Sequence, residues 1–160
     1  EHPVTEMVTG VDLVEQQLRI AACEAVTFDP DTLTASGHAI ELRVYAEDPV
    51  RFLPGPGLIT IWHEPHGPGI RVDSGYQAGD LVTPHYDPLL AKLVVHGDDR
   101  GEALARARAA VADFEVAGPK CNLPFFTELL SDPRFVSGRY DTGLVDAMRS
   151  ARPDPGVAAE

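Results

Sequence analysis

Cysteine is scarce in this sequence, and the two thiols limit the kinds of site that can be built. Cys23 and Cys121 lie far apart in the chain, and neither has a histidine or a second cysteine at the spacing of metal ligands. A disulfide framework and a zinc site are therefore not indicated, and we predict no metal centre. We expect both side chains to be buried thiols.

The sequence also contains few basic residues and no long apolar run. The 160 residues include 13 Lys and Arg against 25 Asp and Glu, so the formal net charge at pH 7 is −12. Nucleic acids and anionic membranes would meet net repulsion, and we exclude both as partners. No apolar run is long enough to cross a bilayer, and the N-terminus lacks the basic and apolar segments of a secretion signal. These absences predict a cytoplasmic protein.

Common motifs of nucleotide binding and nucleophilic catalysis are missing as well. The sequence contains neither of the glycine-rich patterns that cradle phosphates, GxGxxG and GxxxxGK[ST], and it contains no GxSxG turn. It also begins without Met and in the middle of a pattern, so we expect a piece of a longer polypeptide.

The strand-like stretch over residues 37–49 is the most informative part of the sequence. Its residues alternate between an apolar face, with His38, Ile40, Leu42, Val44 and Ala46, and a polar face, with Ala39, Glu41, Arg43, Tyr45 and Glu47. Two interpretations of Arg43 are open at this point. It forms an ion pair on a solvated strand face, which is common and weak, or its planar donor fork binds a carboxylate or an enolate-like oxygen.

Capping residues and apolar stripes indicate four helices around this strand. Thr9 and Asp12 have the spacing of a capping box, and the segment before them, at residues 1–3, is predicted to be extended. The predicted helices cover residues 11–22, a stretch after Asp98 and Asp99 with an alanine-rich stripe over residues 103–114, residues 122–130 with Asn122 as the cap, and residues 143–149.

Glycine and proline, 14 of each, separate short strand-like runs in the middle of the chain. The two prolines and two glycines within residues 52–57 predict a rigid loop that cannot join a sheet ladder. Residues 58–63 and 70–73 alternate, and the turn at residues 65–69 predicts a hairpin between them. Residues 89–96 read as a central strand. The pattern as a whole favours an α+β fold.

Five segments of the chain together resemble the biotin carboxylase family. They are EHPVTEMVTGVDLVEQQLRIAA (1–22), GHAIELRVYAEDP (37–49), FLPGPGLIT (52–60), VDSGYQAGDLVTPHYDPLLAKL (72–93) and GPKCNLPFFTELLSDPRF (118–135). They are similar to the carboxylase subunit of enzymes of the acetyl- and propionyl-CoA type, which would place the chain in fatty acid biosynthesis. In that family glycine is common at the position of Cys23.

The resemblance also implies a division of the chain into parts. Residues 1–24 correspond to a remnant of the ATP-grasp domain, and residues 25–36 are a connector. Residues 37–150 correspond to the biotin carboxylase C-terminal domain, with a mostly antiparallel, partly barrel-like sheet and flanking helices. Residues 151–160 are a linker or disordered tail.

The resemblance implies a specific chemistry for the full-length enzyme. Members use ATP, Mg²⁺ and bicarbonate to carboxylate biotin on a carrier domain. By resemblance, Glu1 is the general base that takes the bicarbonate proton, and Arg43 steadies the biotin enolate. The implied partners are the biotin carboxyl carrier domain, the carboxyltransferase subunit, and the missing N-terminal and ATP-grasp domains of the same chain. We expect the fragment alone to be inactive and to hold none of these ligands.

The remaining site residues receive structural assignments. We interpret Glu47, Asp48 and Asp87 as residues that support the site residues or the packing of the domain, and by resemblance Arg71 falls in a region that bacterial members use to form a homodimer. One alternative is a non-catalytic dimerisation or assembly module in which Arg43 only forms an ion pair. A second alternative is the same domain from a pyruvate, urea or methylcrotonyl-type carboxylase.

Overall fold

The computed structural model describes residues 2–151, which form six helices and seven strands. In chain order these are α1 (Pro3–Thr9), α2 (Leu13–Ala21), β1 (His38–Tyr45), β2 (Gly57–Leu58), β3 (Ile61–His63), β4 (Ile70–Ser74), β5 (Leu81–Val82), β6 (Leu89–Gly97), α3 (Arg100–Asp113), β7 (Glu115–Ala117), α4 (Leu123–Leu129), α5 (Pro133–Ser137) and α6 (Leu144–Ser150). Within these residues, no helix combines the length and the hydropathy that crossing a membrane requires.

The main sheet has the strand order β1, β6, β4, and both pairings are antiparallel. β6 is central, as its apolar sequence predicts, and is buried on both faces. β2 pairs with β5 and β3 with β7 in two short antiparallel ribbons. The mixed helix and sheet fold is thus confirmed. The partly barrel-like closure is not, because β1 and β4 are the two edges of the main sheet and no closed barrel occurs within residues 2–151.

The predicted hairpin between β3 and β4 is wrong. β3 pairs with β7, and β4 pairs with β6, although a turn of six residues separates β3 from β4 in the chain. The reason lies in packing, since the Trp62 ring meets the edge of Phe114 at 5.4 Å between centroids, and Phe114 directly precedes β7. This aromatic contact outweighs the local turn signal.

The core lies between the apolar face of the main sheet and α3. The predicted apolar side of β1 is buried from Ile40 to Ala46, and the alanines of α3 allow the helix to approach the sheet closely. Asp99 caps α3 as predicted, with its side chain accepting a hydrogen bond from the Glu102 amide at 2.9 Å. Burial of each large aliphatic side chain contributes about 1.5–3 kcal/mol, so this face anchors the fold.

The N-terminal segment contains α2, which confirms the helix predicted at residues 11–22, and one further helix, α1, that was not predicted. α1 already begins at Pro3, a residue suited to the first turn, so residues 2 and 3 are not extended as expected. Gly10, at φ 72°, ends α1, and the Asp12 carboxylate then caps α2 by accepting the Glu15 amide at 2.8 Å. α1 packs against β1 and β6. Glu1 and residues 152–160 lie outside the described residues.

The prediction that both cysteines are buried holds for one thiol and fails for the other. Cys121 is partly buried against the core, and this burial raises the pKa of its thiol. Cys23 is exposed and has a φ of 61°, a left-handed conformation that favours glycine. The prediction of a buried Cys23 is wrong because the residue lies in the turn after α2 and not in a packed element.

Candidate functional site

The register of the main sheet brings the polar residues of three strands to one face. Arg43 of β1 lies opposite Lys92 of β6, and Lys92 lies opposite Asp73 of β4. Glu41 and Arg71 form the next row, on either side of Val94. Residues directly opposite each other in antiparallel strands share a face, so both rows lie on the side of the sheet away from α3. We call this surface the polar face.

Arg43 is the most exposed member of the polar face. Its Nε donates a hydrogen bond to Glu41 Oε1 at 2.7 Å, and the side chain is 58% exposed while that of Glu41 is 15% exposed. The hydrogen bond with Glu41, and after it one with Tyr45, raises the pKa of Arg43 above its ordinary value. The guanidinium is therefore charged and reaches solvent.

Asn122 fixes the backbone on which Arg43 stands. Its Nδ2 donates to the Arg43 carbonyl at 3.0 Å, and its Oδ1 accepts the Tyr45 amide at 2.9 Å. The side chain is buried and spans the register shift between Val44 and Tyr45. Asn122 does precede α4, as predicted, but its side chain does not cap that helix. The sequence pattern of a helix cap concealed this role in holding β1.

Arg71 links the polar face to α1. Its Nη1 donates to Glu6 Oε2 at 2.6 Å, and its Nε donates to Asp73 Oδ1 at 2.7 Å. Both carboxylates raise the pKa of Arg71, with Asp73 the larger cause. Glu6 is only 9% exposed, and its second oxygen accepts the Leu13 amide at 2.9 Å. The described contacts of Arg71 are thus within the chain, and its role in a dimer interface stays a prediction.

Two of the three acidic positions assigned to packing, Asp48 and Asp87, accept hydrogen bonds from backbone amides. Asp48 accepts two loop amides through one oxygen and Lys120 through the other, and the Lys120 ammonium, followed by those amides, holds the pKa of Asp48 far below its usual range. Asp87 closes its turn by accepting the Leu89 amide at 2.8 Å. Burial, with the charge of Asp87 as the second cause, raises the pKa of Glu47.

Across residues 2–151, no group of three or more His, Cys, Asp or Glu side chains is placed to hold a metal ion. Arg43, in contrast, offers a charged and solvent-accessible donor group to an anionic oxygen. Glu1, predicted to act as the base, lies outside the described part of the chain.

Comparison with models of protein families identifies the family to which this chain belongs. The model of the biotin carboxylase C-terminal domain matches residues 41–147. The chain belongs to this family. A second model, of the ATP-binding domain of the carbamoyl-phosphate synthase L chain, matches residues 1–28. The resemblance inferred from the five sequence segments is therefore confirmed.

Individual biotin carboxylases are similar over most of the chain. Biotin carboxylase of Halalkalibacterium halodurans is 47% identical over 91% of this chain and 32% of the relative. The alpha3 subunit of a biotin-dependent acyl-coenzyme A carboxylase of Mycobacterium leprae is 49% identical over 85% of this chain and 23% of the relative. The biotin carboxylase domain of a thermophilic 2-oxoglutarate carboxylase, solved with bicarbonate, has a TM-score of 0.89 and 39% identity over 92% of this chain and 33% of that structure.

Similarity extends to carboxylases with other acceptors. One of the pyruvate carboxylase subunits of Methanothermobacter thermautotrophicus is 41% identical over 93% of this chain and 30% of the relative. The alpha subunit of the Arabidopsis thaliana methylcrotonoyl-CoA carboxylase is 42% identical over 94% of this chain and 21% of the relative. This chain spans about a third or less of the length of these relatives.

Proposed function

We propose that this chain is the C-terminal part of a biotin carboxylase that uses ATP and bicarbonate to carboxylate biotin on a carrier domain. The observation that carries the proposal is the charged guanidinium of Arg43, which reaches solvent on the polar face beside α1. Membership of the biotin carboxylase C-terminal domain family supports the same reaction.

Arg43 would act on the ureido group of biotin. As the ring nitrogen loses its proton, negative charge grows on the ureido oxygen, and a fixed cation stabilises that charge without rearrangement. Glu41 accepts a hydrogen bond from Nε of Arg43 and Tyr45 takes part in a second one, so the N–H donors that remain on the terminal amino groups would serve the ureido oxygen. By resemblance, Glu1 is the base that accepts the bicarbonate proton, since a carboxylate can do so near neutral pH.

The nucleotide and Mg²⁺ belong, in this proposal, to parts of the enzyme beyond this chain. The ATP-binding model matches only residues 1–28, and the described residues provide no metal site. We expect this chain alone to release no ADP when it is incubated with ATP, Mg²⁺, bicarbonate and free biotin. Release of ADP at a rate proportional to the fragment concentration would contradict the proposal.

An apolar cleft beside α2 supports the presence of a larger ATP-grasp domain. Ile20 is 58% exposed and lines a cleft of about 250 Å³ with His2, Val26 and Phe28. Exposed apolar surfaces on soluble proteins often mark contacts. We propose that the remainder of the ATP-grasp domain of the same polypeptide covers this cleft, because residues 1–28 match that domain alone.

The role of Arg43 is tested by its alanine variant in the complete polypeptide. We expect Arg43→Ala to lower biotin-dependent ATP cleavage by about 100- to 1,000-fold, the usual loss when one stabilising donor is removed, with the KM for ATP unchanged. Arg139→Ala, which removes an exposed arginine between α5 and α6, is the matched control. A wild-type rate in Arg43→Ala would overturn the proposal.

A non-catalytic assembly module is the second candidate, and the ion pair between Arg43 and Glu41 favours it. Under this alternative, Arg43→Ala and Glu41→Gln would change the association state equally and leave turnover intact. Under the catalytic proposal, Arg43→Ala lowers turnover while the sedimentation coefficient is unchanged. Sedimentation and turnover, measured on the same preparations, separate the two.

The acceptor and the partners follow from the parent enzyme. We propose a parent of the acetyl- or propionyl-CoA type, assembled from a homodimeric carboxylase, a carrier domain and a carboxyltransferase subunit. The relative at 49% identity, which belongs to an acyl-coenzyme A carboxylase, supports this choice. Pyruvate, urea and methylcrotonyl-type parents are the alternatives. Assays of the complete enzyme with each acceptor, including acetyl-CoA, propionyl-CoA and pyruvate, distinguish them.

A further inference from the structure

Lys92 is an unusual residue in the centre of the main sheet. It interrupts the apolar sequence of β6, between Ala91 and Leu93, which are both buried. Its own side chain is half-buried, and within residues 2–151 it forms no ion pair or hydrogen bond. Among the described residues, Lys92 is therefore a cation without a protein partner in the middle of the sheet, and a ligand is the partner that remains to be considered.

The register places this cation beside Arg43. The two residues lie directly opposite each other on neighbouring strands, which brings their Cβ atoms to within roughly 5 Å. Like charges in this position destabilise a sheet. The repulsion between the two cations therefore lowers the stability of the sheet, and a bound anion would offset this repulsion.

The carboxylates around the two cations are already engaged. Glu41 accepts Arg43 Nε at 2.7 Å, and Asp73, the other neighbour of Lys92, accepts Arg71 Nε at the same distance. Glu6 is shared between Arg71 and the backbone of α2. Each of the three acidic groups thus has a partner other than Lys92, and the Lys92 ammonium is the charge left over on the polar face.

We propose that Lys92 binds the carboxylate that biotin gains, while Arg43 holds the neighbouring ureido oxygen. This inference rests on the proposed function. A carboxybiotin ring presents two oxygen-bearing groups side by side, and two cations on adjacent strands match that pair. The planar fork of Arg43 suits the ureido oxygen, and the compact ammonium of Lys92, with three rotatable donors, suits a carboxylate that arrives during the reaction.

The test uses Lys92→Met and Lys92→Arg in the complete polypeptide, with Lys120→Met as a control that removes one positive charge elsewhere. We expect Lys92→Met to lower biotin-dependent ATP cleavage at least tenfold and to change biotin-independent cleavage by less than twofold. Lys92→Arg should recover most of the lost rate because it restores the charge. Lys120→Met should leave both rates within twofold of wild type.

Stability supplies an independent readout. Because Lys92 faces Arg43 and has no partner, Lys92→Met should leave the thermal midpoint unchanged or raise it, whereas a lysine that only supports the fold would lower it. Lys92→Gln is the second variant, should the methionine variant fold poorly. A biotin-dependent rate within twofold of wild type in a folded variant, or equal loss of both ATP cleavage activities, would overturn the inference.

Arg43→Ala, measured in parallel, separates the two proposals. If Arg43→Ala loses biotin-dependent cleavage and Lys92→Met retains it, only the role of Lys92 is wrong. If both variants retain wild-type rates, the proposed function itself is wrong.

Discussion

The contact between Glu6 and Arg71 holds α1 on the main sheet, and its strength can be measured. Glu6 is 9% exposed, so Arg71→Met would leave a buried carboxylate with only the Leu13 amide as donor. Breaking a buried ion pair costs about 3–5 kcal/mol. Arg71 is 36% exposed, which lets water reach the carboxylate, and we therefore expect about 2–3 kcal/mol.

The matched comparison is Asp73→Asn, which removes the more exposed carboxylate bound to the same arginine. Its ion pair is of the surface kind, so we expect a loss of about 0.2–1 kcal/mol. Urea unfolding of wild type, Arg71→Met, Glu6→Gln and the double variant gives the coupling energy between the two residues, expected at about 1.5–3 kcal/mol. A coupling below about 0.5 kcal/mol would refute the claim that this pair anchors α1.

Three further predictions follow from backbone geometry and burial. Gly118→Ala should destabilise the protein by well over the roughly 1–2 kcal/mol of a left-handed residue, because its Cβ would overlap the carbonyl oxygen of Leu58 in β2. Gly79→Ala, at φ 95° with open space around its Cβ, should show only that smaller cost in urea unfolding. Cys23→Gly should raise the free energy of unfolding by about 1 kcal/mol, since φ is 61° and the side chain is exposed; a loss of stability contradicts this. Burial, with the charge of Arg100 as the second cause, lowers the pKa of His38. The stability that neutral His38 contributes is therefore present above the unfolded pKa of about 6.5 and is lost as the pH falls. If the free energy of unfolding of His38→Gln depends on pH as that of wild type does, His38 is not the source of the pH dependence.

The elements that depend on strong local periodicity could be predicted from the sequence. The alternation of residues 38–45 predicts the two faces of β1, and the apolar run at residues 89–96 predicts the central strand. The cap at Asp99 and the alanine stripe predict α3 and its close packing. In each case the local preference and the tertiary packing agree.

The failures arose where a distant contact or a local backbone conformation overrode the sequence pattern. The turn after β3 favoured a hairpin, but the contact between Trp62 and Phe114 gave β3 a partner more than 50 residues away in the chain. The capping residues near Asp12 correctly predicted the helix at residues 11–22, which is α2, but the short helix α1 before it, which ends at Gly10 in a left-handed conformation, was missed. Proline also permits α1 to begin early, and the residue before it takes a left-handed conformation in place of an extended one.

The candidate site combines one residue that the sequence identifies with a neighbour that only the register reveals. Arg43 can be identified from the sequence because it is the one cation among the residues on the polar side of the β1 pattern. Lys92 is 49 positions further along, and a shift of one residue in the pairing of β1 with β6 would move it to the opposite face of the sheet from Arg43. Asn122 holds β1 in that register at Arg43 and Tyr45. Asn122→Ala should therefore lower biotin-dependent turnover in the complete enzyme through the relative placement of Arg43 and Lys92. A variant that is destabilised but keeps full turnover would limit Asn122 to the fold.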